Sequence, residues 1–238
     1  MFDFSGQVVV VTGAAGNLGR VVARAFGAAG ATLVLVDRAP DRLQGLFPDL
    51  VGSPEHYLAT SVDLTEAGAV EAMVEEVAKR FGRVDVLVNT VGGFRGGTPV
   101  HETTAETWDL MLDLNLRTLL VTSRAVVPHM VQQGSGKVVN VGSRAALQGG
   151  RGMAPYSASK SAVVRVTESM AAELKNQGIN VNCVLPGTID TEENRQAMPK
   201  VNTDRWVKPE AIAEVILFLA SDAARAVQGA AIPVYGKG

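Results

Sequence analysis

The sequence contains few of the residues that form disulfides and metal sites. Its only cysteine, Cys183, rules out a disulfide within the chain, which suits a reducing compartment. Cys183 lies in an apolar stretch that predicts a strand, so we expect a buried, unreactive thiol rather than a nucleophile. The three histidines, His56, His101 and His129, lack the spacing of metal ligands. We therefore expect no metal site.

Long apolar runs and an excess of one charge sign are also absent. Runs such as Val8–Val11 and Val215–Ala220 fall far short of the ~20 residues that span a bilayer. The first residues, Met1–Gly6, lack the basic region of a signal peptide. The formal net charge of −2 provides no general attraction to nucleic acid or an anionic membrane. We therefore expect a cytoplasmic protein that acts on a small molecule and has no nucleic-acid or membrane partner.

What the sequence does contain is a regular alternation of short apolar runs with longer helical patterns. Strands so apolar, separated by helices, predict a parallel sheet covered on both faces. Right-handed crossovers then give an α/β, doubly wound, seven-stranded sheet, with residues 1–238 as one domain. The predicted strands are Val8–Val11, Thr32–Val36, His56–Thr60, Val84–Val88, Lys137–Val141, Asn180–Leu185 and Ala230–Val234. The predicted helices are Leu18–Ala29, Pro40–Leu46, Glu66–Phe81, Ala105–Gln133, Tyr156–Asn176 and Pro209–Ala220.

A glycine-rich turn follows the first predicted strand and leads into a helix. Glycines let the backbone bend and let a phosphate approach, and the helix N-terminus offers free amides. The alternative is a tight turn without a ligand. The run from Thr12 to Gly19 resembles the T-G-x-x-x-G-x-G turn of the short-chain dehydrogenase/reductase superfamily, which has a Rossmann fold. Gly13, Leu18 and Gly19 fit this turn, and Asn17 replaces its middle glycine because asparagine tolerates a positive φ.

The second strand ends in an acidic residue, Asp37, followed by Arg38. An acidic residue ~20 positions after the turn can bind both ribose hydroxyls and repels a 2′-phosphate. Asp37 therefore favours NAD(H) over NADP(H), although an arginine at position 38 could hold that phosphate. The alternative is that Asp37 only caps the helix that follows.

The strongest catalytic pattern is the pair Tyr156 and Lys160, which lie one turn apart on one face of a helix. Free tyrosine, with a pKa near ~10, is a poor base at neutral pH. A neighbouring ammonium favours the phenolate and lowers that pKa, as general acid/base catalysis requires. The spacing alone is common, so the pair gains its value from the residues around it.

The residues around this pair match the same superfamily over essentially the whole chain. Ser143 precedes Tyr156 by 13 residues, the family spacing between the serine that holds the substrate and the catalytic tyrosine. Asn115 matches the asparagine of the family's proton relay. The resemblance implies that Ser143 bonds the substrate oxygen, Tyr156 transfers the proton, and Lys160 binds the nicotinamide ribose. Taken singly, each residue could instead be a cap, a kink residue or a solvated charge.

The resemblance also extends the cofactor site. Asp63 and Leu64 resemble the pair beside the adenine ring, although Asp63 could be only a helix N-cap. In the run where the family has N-N-A-G, Asn89 and Gly92 match, whereas Thr90 and Val91 depart from the pattern. Asn89 could equally hold the sheet together. The P-G-x-x-x-T turn that meets the nicotinamide side is matched by Pro186, Gly187, Ile189 and Thr191.

Two loops are candidates for substrate specificity: the glycine-rich run after Asn89 and the charged segment of residues 187–207. Phe94 could stack on a flat ring or cover the core, and Arg144 could favour an anionic substrate or be merely solvated. Phe94 together with Asn194 and Met198 gives a partial likeness to the dihydropteridine reductase branch. The candidate substrate residues are Phe94, Arg95, Arg144, Asn194 and Met198.

The sequence therefore predicts an NAD(H)-dependent oxidoreductase that interconverts a carbonyl and a secondary alcohol. A 3-oxoacyl-thioester reductase and a pteridine or quinonoid reductase are narrower alternatives, and a redox sensor that binds NAD(H) without turnover is an alternative of another class. Family membership further implies a homotetramer or homodimer built on the helices near residues 105–133 and 156–176.

Overall fold

The computed structural model describes residues 2–237, which form one seven-stranded sheet in the order β3-β2-β1-β4-β5-β6-β7. Every pair of neighbouring strands is parallel. The prediction of a doubly wound parallel sheet of seven strands is therefore confirmed. The strands are β1 (Val8–Thr12), β2 (Thr32–Val36), β3 (Tyr57–Ala59), β4 (Val86–Asn89), β5 (Gly136–Val141), β6 (Ile179–Pro186) and β7 (Ala231–Val234).

The central strand β1 shows why an uninterrupted apolar run forms a strand here. Successive side chains of a strand point to opposite faces of the sheet. Val9 and Val11 pack into the core on one face, and Val8 and Val10 pack into the core on the other. Because helices cover both faces, all residues of β1 are buried and no polar alternation is needed.

Helices lie on both faces of the sheet. On one face, α1 and α8 contribute Val22, Phe26, Ile212 and Ile216 to the core. On the other face, α3, α5 and α6 close a second core. The helices are α1 (Gly19–Ala28), α2 (Pro40–Leu46), α3 (Ala67–Phe81), α4 (Ala105–Leu112), α5 (Thr118–Gln133), α6 (Ala154–Leu174), α7 (Glu192–Ala197) and α8 (Pro209–Ala220).

The predicted helix over residues 105–133 is interrupted. Asp113–Arg117 forms a π-helical segment between α4 and α5. A π turn contains one more residue than an α turn and is frequent at functional sites. Here it carries Asn115, which is buried. Hydrophobic periodicity alone does not reveal such a turn, because the apolar pattern continues on both sides of it.

Two further predictions bear on the chemistry of the chain. Cys183 is fully buried in β6, which confirms the predicted burial, and burial raises the pKa of its thiol to about 11. No helix between residues 2 and 237 is both long and apolar enough to cross a membrane.

Candidate active site

The carboxyl ends of four neighbouring strands gather most of the predicted site residues. β1 ends at Thr12, β4 at Asn89, β5 at Val141 and β6 at Pro186. Thr12 pairs with Asn89 and Asn89 pairs with Asn140, so these strand ends lie side by side. The loops after them therefore meet at one edge of the sheet, where doubly wound folds bind ligands.

The first of these loops is the glycine-rich turn between β1 and α1. Gly13 has a φ of +64°, and a Cβ there would lie 2.8 Å from Cγ2 of Val91, so a side chain would be both strained and blocked. A Cβ at Gly19 would clash with the carbonyl oxygen of Gly13. In the described part of the chain, the backbone N–H groups of Asn17 and Leu18 find no acceptor. These donors at the start of a helix fit the phosphates of a dinucleotide.

The physical reason that the sequence suggested for Asn17 is wrong. Among the non-glycine residues that the structure describes, only Ser61 has a positive φ, so position 17 does not require tolerance of that conformation. Asn17 instead uses its side chain, which donates a 3.0 Å hydrogen bond from Nδ2 to Oε2 of Glu193 in α7. The substitution thus links the turn to the segment that follows β6.

Asp37 lies at the end of β2, beside the glycine-rich turn. Its Oδ2 accepts a hydrogen bond from the backbone N–H of Ala15 at 3.0 Å, and its Oδ1 accepts one from Ala39 at 3.0 Å. The following helix begins at Pro40 without a side-chain cap, so the interpretation of Asp37 as a helix cap is wrong. The carboxylate is instead fixed next to the loop expected to hold phosphates, where a ribose would follow.

Asp63 is not the cap of α3 either. Its Oδ1 accepts hydrogen bonds from the backbone N–H and the hydroxyl of Thr65, at 2.9 and 2.7 Å, whereas Glu66 is the N-cap residue of the helix. These bonds, and more weakly the charge of Arg38, hold the pKa of Asp63 below its ordinary value. Asp63 is exposed, whereas Leu64 is buried in the core.

Asn89 connects strands through its side chain. Its Nδ2 donates to Oδ1 of Asn140 at 2.9 Å, and Asn140 in turn donates to the hydroxyl of Thr167 in α6 at 2.9 Å. Asn89 therefore helps to hold β4 and β5 together. Its Oδ1, however, is buried and bonds no other atom of the described chain. A buried amide oxygen without a donor is costly, and a donor from a bound ligand would satisfy it.

Ser143 and Tyr156 meet across the loop that follows β5. Tyr156 lies in the first turn of α6, and Ser143 caps a short turn by accepting a hydrogen bond from the N–H of Ala145 at 3.1 Å. Burial raises the pKa of the Tyr156 phenol, and its hydrogen bond with Ser143 offsets part of that rise. The Tyr156 phenol therefore lies close to the Ser143 hydroxyl, and its raised pKa keeps it protonated at neutral pH.

Lys160 lies one turn further along α6 and is only 4% exposed. Its Nζ donates to the carbonyl oxygen of Val141 at 2.9 Å, and burial lowers its pKa to about 8. The sequence led us to expect that Lys160 lowers the pKa of Tyr156. In this structure burial is the largest cause and raises the pKa of the phenol, so the lowering by Lys160 stays a prediction.

Asn115 clamps the loop that follows β4. Its Oδ1 accepts from the N–H of Gly93 at 3.0 Å, while its Nδ2 donates to the carbonyl of Gly93 at 3.1 Å and to the hydroxyl of Ser159 at 3.1 Å. A Cβ at Gly92 would lie 2.9 Å from both Oδ1 of Asn115 and Nζ of Lys160. The π segment thus brings Asn115 beside the lysine, as the expected proton relay requires.

The segment after β6 folds back over the strand ends. Gly187 donates to the carbonyl of Val234 at 3.1 Å, and Ile189 forms an isolated parallel bridge with Val207. Thr191 caps α7 by accepting from the N–H of Asn194, whose side chain donates to the carbonyl of Ile189 at 2.8 Å. Residues 187–207 are therefore a folded flap that starts directly after Pro186.

Phe94 does not cover the core. It is 61% exposed, and its ring meets the Tyr156 ring edge-on, with 5.1 Å between the centroids and 84° between the planes. Of the two sequence interpretations, coverage of the core is therefore wrong.

The remaining candidate substrate residues lie around this edge in different environments. The backbone N–H of Arg95 contacts Sδ of Met111 at 3.2 Å, and the Arg144 guanidinium lies 5.0 Å from the centre of the Tyr235 ring. Met198 follows the last residue of α7. In residues 2–237, no group of three His, Cys, Asp or Glu side chains could hold a metal ion.

Sequence reasoning missed Ser159, although it lies inside the Tyr156–Lys160 run. Its hydroxyl donates to the carbonyl of Tyr156 at 2.8 Å and accepts from Asn115 at 3.1 Å, so it joins the helix to the π segment. Its position three residues after Tyr156 could have indicated this role, because residues three apart lie on one helix face.

Comparisons with known proteins agree with this arrangement. The model of the short chain dehydrogenase family matches residues 7–202. The chain is 35% identical to the 3-oxoacyl-[acyl-carrier-protein] reductase FabG of Thermotoga maritima, with 97% of each protein covered. It is also 35% identical to the meso-2,3-butanediol dehydrogenase of Serratia marcescens, over 98% of this chain and 94% of that protein. A short-chain type dehydrogenase/reductase from Mycobacterium ulcerans superposes with a TM-score of 0.91 and 29% identity, over 99% of this chain and 90% of the other.

Proposed function

The chain belongs to the short-chain dehydrogenase family and is an oxidoreductase that acts on CH–OH and C=O groups; from that premise, we propose that it uses NAD(H) and that Tyr156 is its acid/base. The observation that supports this proposal most directly is the placement of Tyr156 and the buried Lys160 one turn apart on α6, where the Tyr156 phenol lies close to Ser143 and Lys160 binds the end of β5. A bound nicotinamide would supply or accept the hydride.

In the reducing direction, the Ser143 hydroxyl holds the carbonyl oxygen of the substrate, and Tyr156 donates its proton to that oxygen. The raised pKa of the phenol keeps this proton in place at neutral pH. Lys160 bonds the nicotinamide ribose, and Asn115 holds the loop beside Lys160 and links it to solvent. The residues thus contribute positioning and proton transfer.

The cofactor residues are proposed from the geometry of the strand ends. Free backbone donors of the glycine-rich turn would bind the pyrophosphate, Asp37 the adenine ribose, and the turn after β6 the nicotinamide side. The complete proposed set is Gly13, Asn17, Leu18, Gly19, Asp37, Arg38, Asp63, Leu64, Asn89, Val91, Tyr156, Lys160, Pro186, Gly187, Ile189 and Thr191. The flap of residues 187–207, with Phe94, Arg95, Arg144, Asn194 and Met198, would shape the substrate site.

The preference for NAD(H) is supported by Asp37. Its carboxylate is fixed beside the turn, where it would accept hydrogen bonds from ribose hydroxyls and repel a 2′-phosphate. Arg38 is exposed, and in the described chain it forms no ion pair within 4.0 Å that would fix it beside Asp37.

Titration with NADH and with NADPH, followed by fluorescence, tests this preference. We expect tighter binding of NADH, and about a tenfold loss of that preference in Asp37→Ser, because the variant removes one charge repulsion. Tighter binding of NADPH by the unaltered protein contradicts the assignment. A panel of ketones, 3-oxoacyl thioesters, quinones and a quinonoid dihydropterin then identifies the substrate class. Tight NADH binding without turnover of any class favours a redox sensor.

We further propose a cytoplasmic homotetramer or homodimer built on α4, α5 and α6. Leu112, Leu120 and Val131 on the first two of these helices are exposed apolar side chains, as an interface between subunits would use. Light scattering on the purified protein measures the mass, and a monomer contradicts this part of the proposal.

A further inference from the structure

The exposed aromatic ring of Phe94 lies directly against the proposed catalytic tyrosine. Its ring is 61% exposed, and the edge-on contact with Tyr156 leaves the rest of its apolar surface open. Exposed apolar surface is unfavourable, and a ring gains free energy when an apolar group covers it. The ring is therefore a surface that a bound substrate could cover.

The loop that carries Phe94 is anchored on both sides of the ring. Before it, Asn115 binds both the N–H and the carbonyl of Gly93, at 3.0 and 3.1 Å. After it, the N–H of Gly97 donates to the carbonyl of Gly152 at 2.8 Å. A Cβ at Gly96 would lie 2.9 Å from Cζ of Phe94, so the ring rests against a glycine. The structure thus fixes Phe94 at this place instead of leaving it on a free loop tip.

A second exposed apolar side chain lies on the other loop of the site. Leu147 ends the short turn that begins at Ser143, and it is 60% exposed. Both loops next to the Ser143 and Tyr156 hydroxyls therefore carry a large apolar side chain facing solvent. A polar substituent on the substrate would leave these surfaces uncovered, whereas an apolar substituent would bury them.

We propose that Phe94 is a specificity-determining residue, which packs against an apolar ring or branched alkyl group next to the reacting carbon. The preferred substrates are then ketones and secondary alcohols with such a group, and small hydroxylated ketones are poor substrates. This inference rests on the proposed function, because it takes Tyr156 as the residue that meets the substrate oxygen.

The test compares kcat/KM for acetophenone and hydroxyacetone, with NADH, in the full-length protein. We expect the unaltered protein to prefer acetophenone, and Phe94→Ala to lower the ratio of the two values about tenfold, as expected for the loss of an aromatic contact. Phe94→Leu keeps an apolar side chain and is expected to lower the ratio less than about threefold. Val51→Ala removes an exposed apolar side chain beside the β3 edge of the sheet and is the matched control with an unchanged ratio.

Two outcomes overturn the inference and separate it from the proposed function. If the unaltered protein reduces both ketones and Phe94→Ala leaves the ratio within about twofold, the role of Phe94 is wrong while the function stands. If neither ketone is reduced, the rise in the thermal midpoint on adding each ketone to the NADH-loaded protein replaces turnover. A larger rise with acetophenone that Phe94→Ala abolishes supports Phe94, and equal rises in both proteins overturn it. Absence of turnover of either ketone by the unaltered protein counts against the proposed function and not against the role of Phe94.

Discussion

The catalytic edge around Lys160 and the flap of residues 187–207 hold their side chains in different ways. Lys160 and Asn115 are buried, and each bonds the backbone of another element, at Val141 and at Gly93. In the flap, the ion pair of the exposed Arg195 with the half-buried Asp190 joins residues only five positions apart. Buried bonds between distant elements fix a geometry more firmly than exposed local bonds do. The catalytic groups are therefore held by buried bonds between distant elements, while the flap depends more on bonds within its own segment.

The largest effect is expected from a substitution of Lys160, which lies in the buried catalytic edge. Lys160→Met is expected to lower kcat/KM by about 10²- to 10³-fold, because the variant removes the ammonium beside the proposed acid/base. Steady-state kinetics measure this loss. Lys137→Met is the control, since Lys137 is a partly buried lysine of β5 but lies at the opposite end of that strand from Val141, which binds Lys160. Equal losses in the two variants would show that burial of a lysine, and not its place, explains the result.

The stability of the same variant should move in the opposite direction. Burial lowers the pKa of Lys160 to about 8 in the folded state. In the unfolded chain Lys160 keeps its ordinary pKa of 10.5, so between about pH 8 and pH 10.5 the unfolded chain binds more protons than the folded chain. The free energy of unfolding therefore increases with pH across that window. Below pH 8 the buried charge is a cost that Lys160→Met removes. The thermal midpoint of the variant, relative to the unaltered protein, should be highest near pH 7 and should decline towards pH 10.

A smaller effect is expected from releasing the clamp on Gly93. Asn115→Ala should lower kcat/KM about tenfold and the free energy of unfolding by roughly 1–3 kcal/mol, because it leaves buried polar groups unpaired. Asn182 provides the control, since it also binds a carbonyl and an N–H of a neighbouring loop, at Val227 and Ala230. Asn182→Ala should cost similar stability in denaturant titrations without the kinetic loss. An equal change of kcat/KM in both variants would mean that Asn115 has only a structural role.

The smallest effect should come from the exposed side of the comparison. Asn17→Gly removes the hydrogen bond to Glu193, and an exposed bond contributes little. We expect the dissociation constant of NADH to change less than about threefold, both in this variant and in Glu193→Gln. A change of the dissociation constant above about tenfold in either variant would mean that this single contact holds the flap in place. The flap would then be fixed about as firmly as the catalytic edge.

The contrast also explains which features the sequence could predict. The seven strands follow from apolar runs, because a strand depends on residues close in sequence. The candidate catalytic set follows only from the resemblance of several separated motifs to a known family. The grip of Asn115 on Gly93 and the contact of Phe94 with Tyr156 join residues from different elements. Spacing holds no information on such contacts. The prediction of a positive φ at Asn17 is wrong, because asparagine in place of a glycine does not need to keep the backbone conformation of that glycine.

The central claim is that the Tyr156 phenol moves the proton, and the pH dependence of alcohol oxidation tests it most directly. Burial raises the pKa of this phenol, so the phenolate needed for oxidation becomes more abundant as the pH rises. We predict that kcat/KM for oxidation increases about tenfold per pH unit from pH 6 to pH 9 without levelling off, because the raised pKa of one ionising group lies above this range. Tyr156→Phe should lose about 10³-fold in activity, and its residual activity should lack this ionisation while NADH binding is kept. The same ionisation with near-normal turnover in Tyr156→Phe would contradict the account.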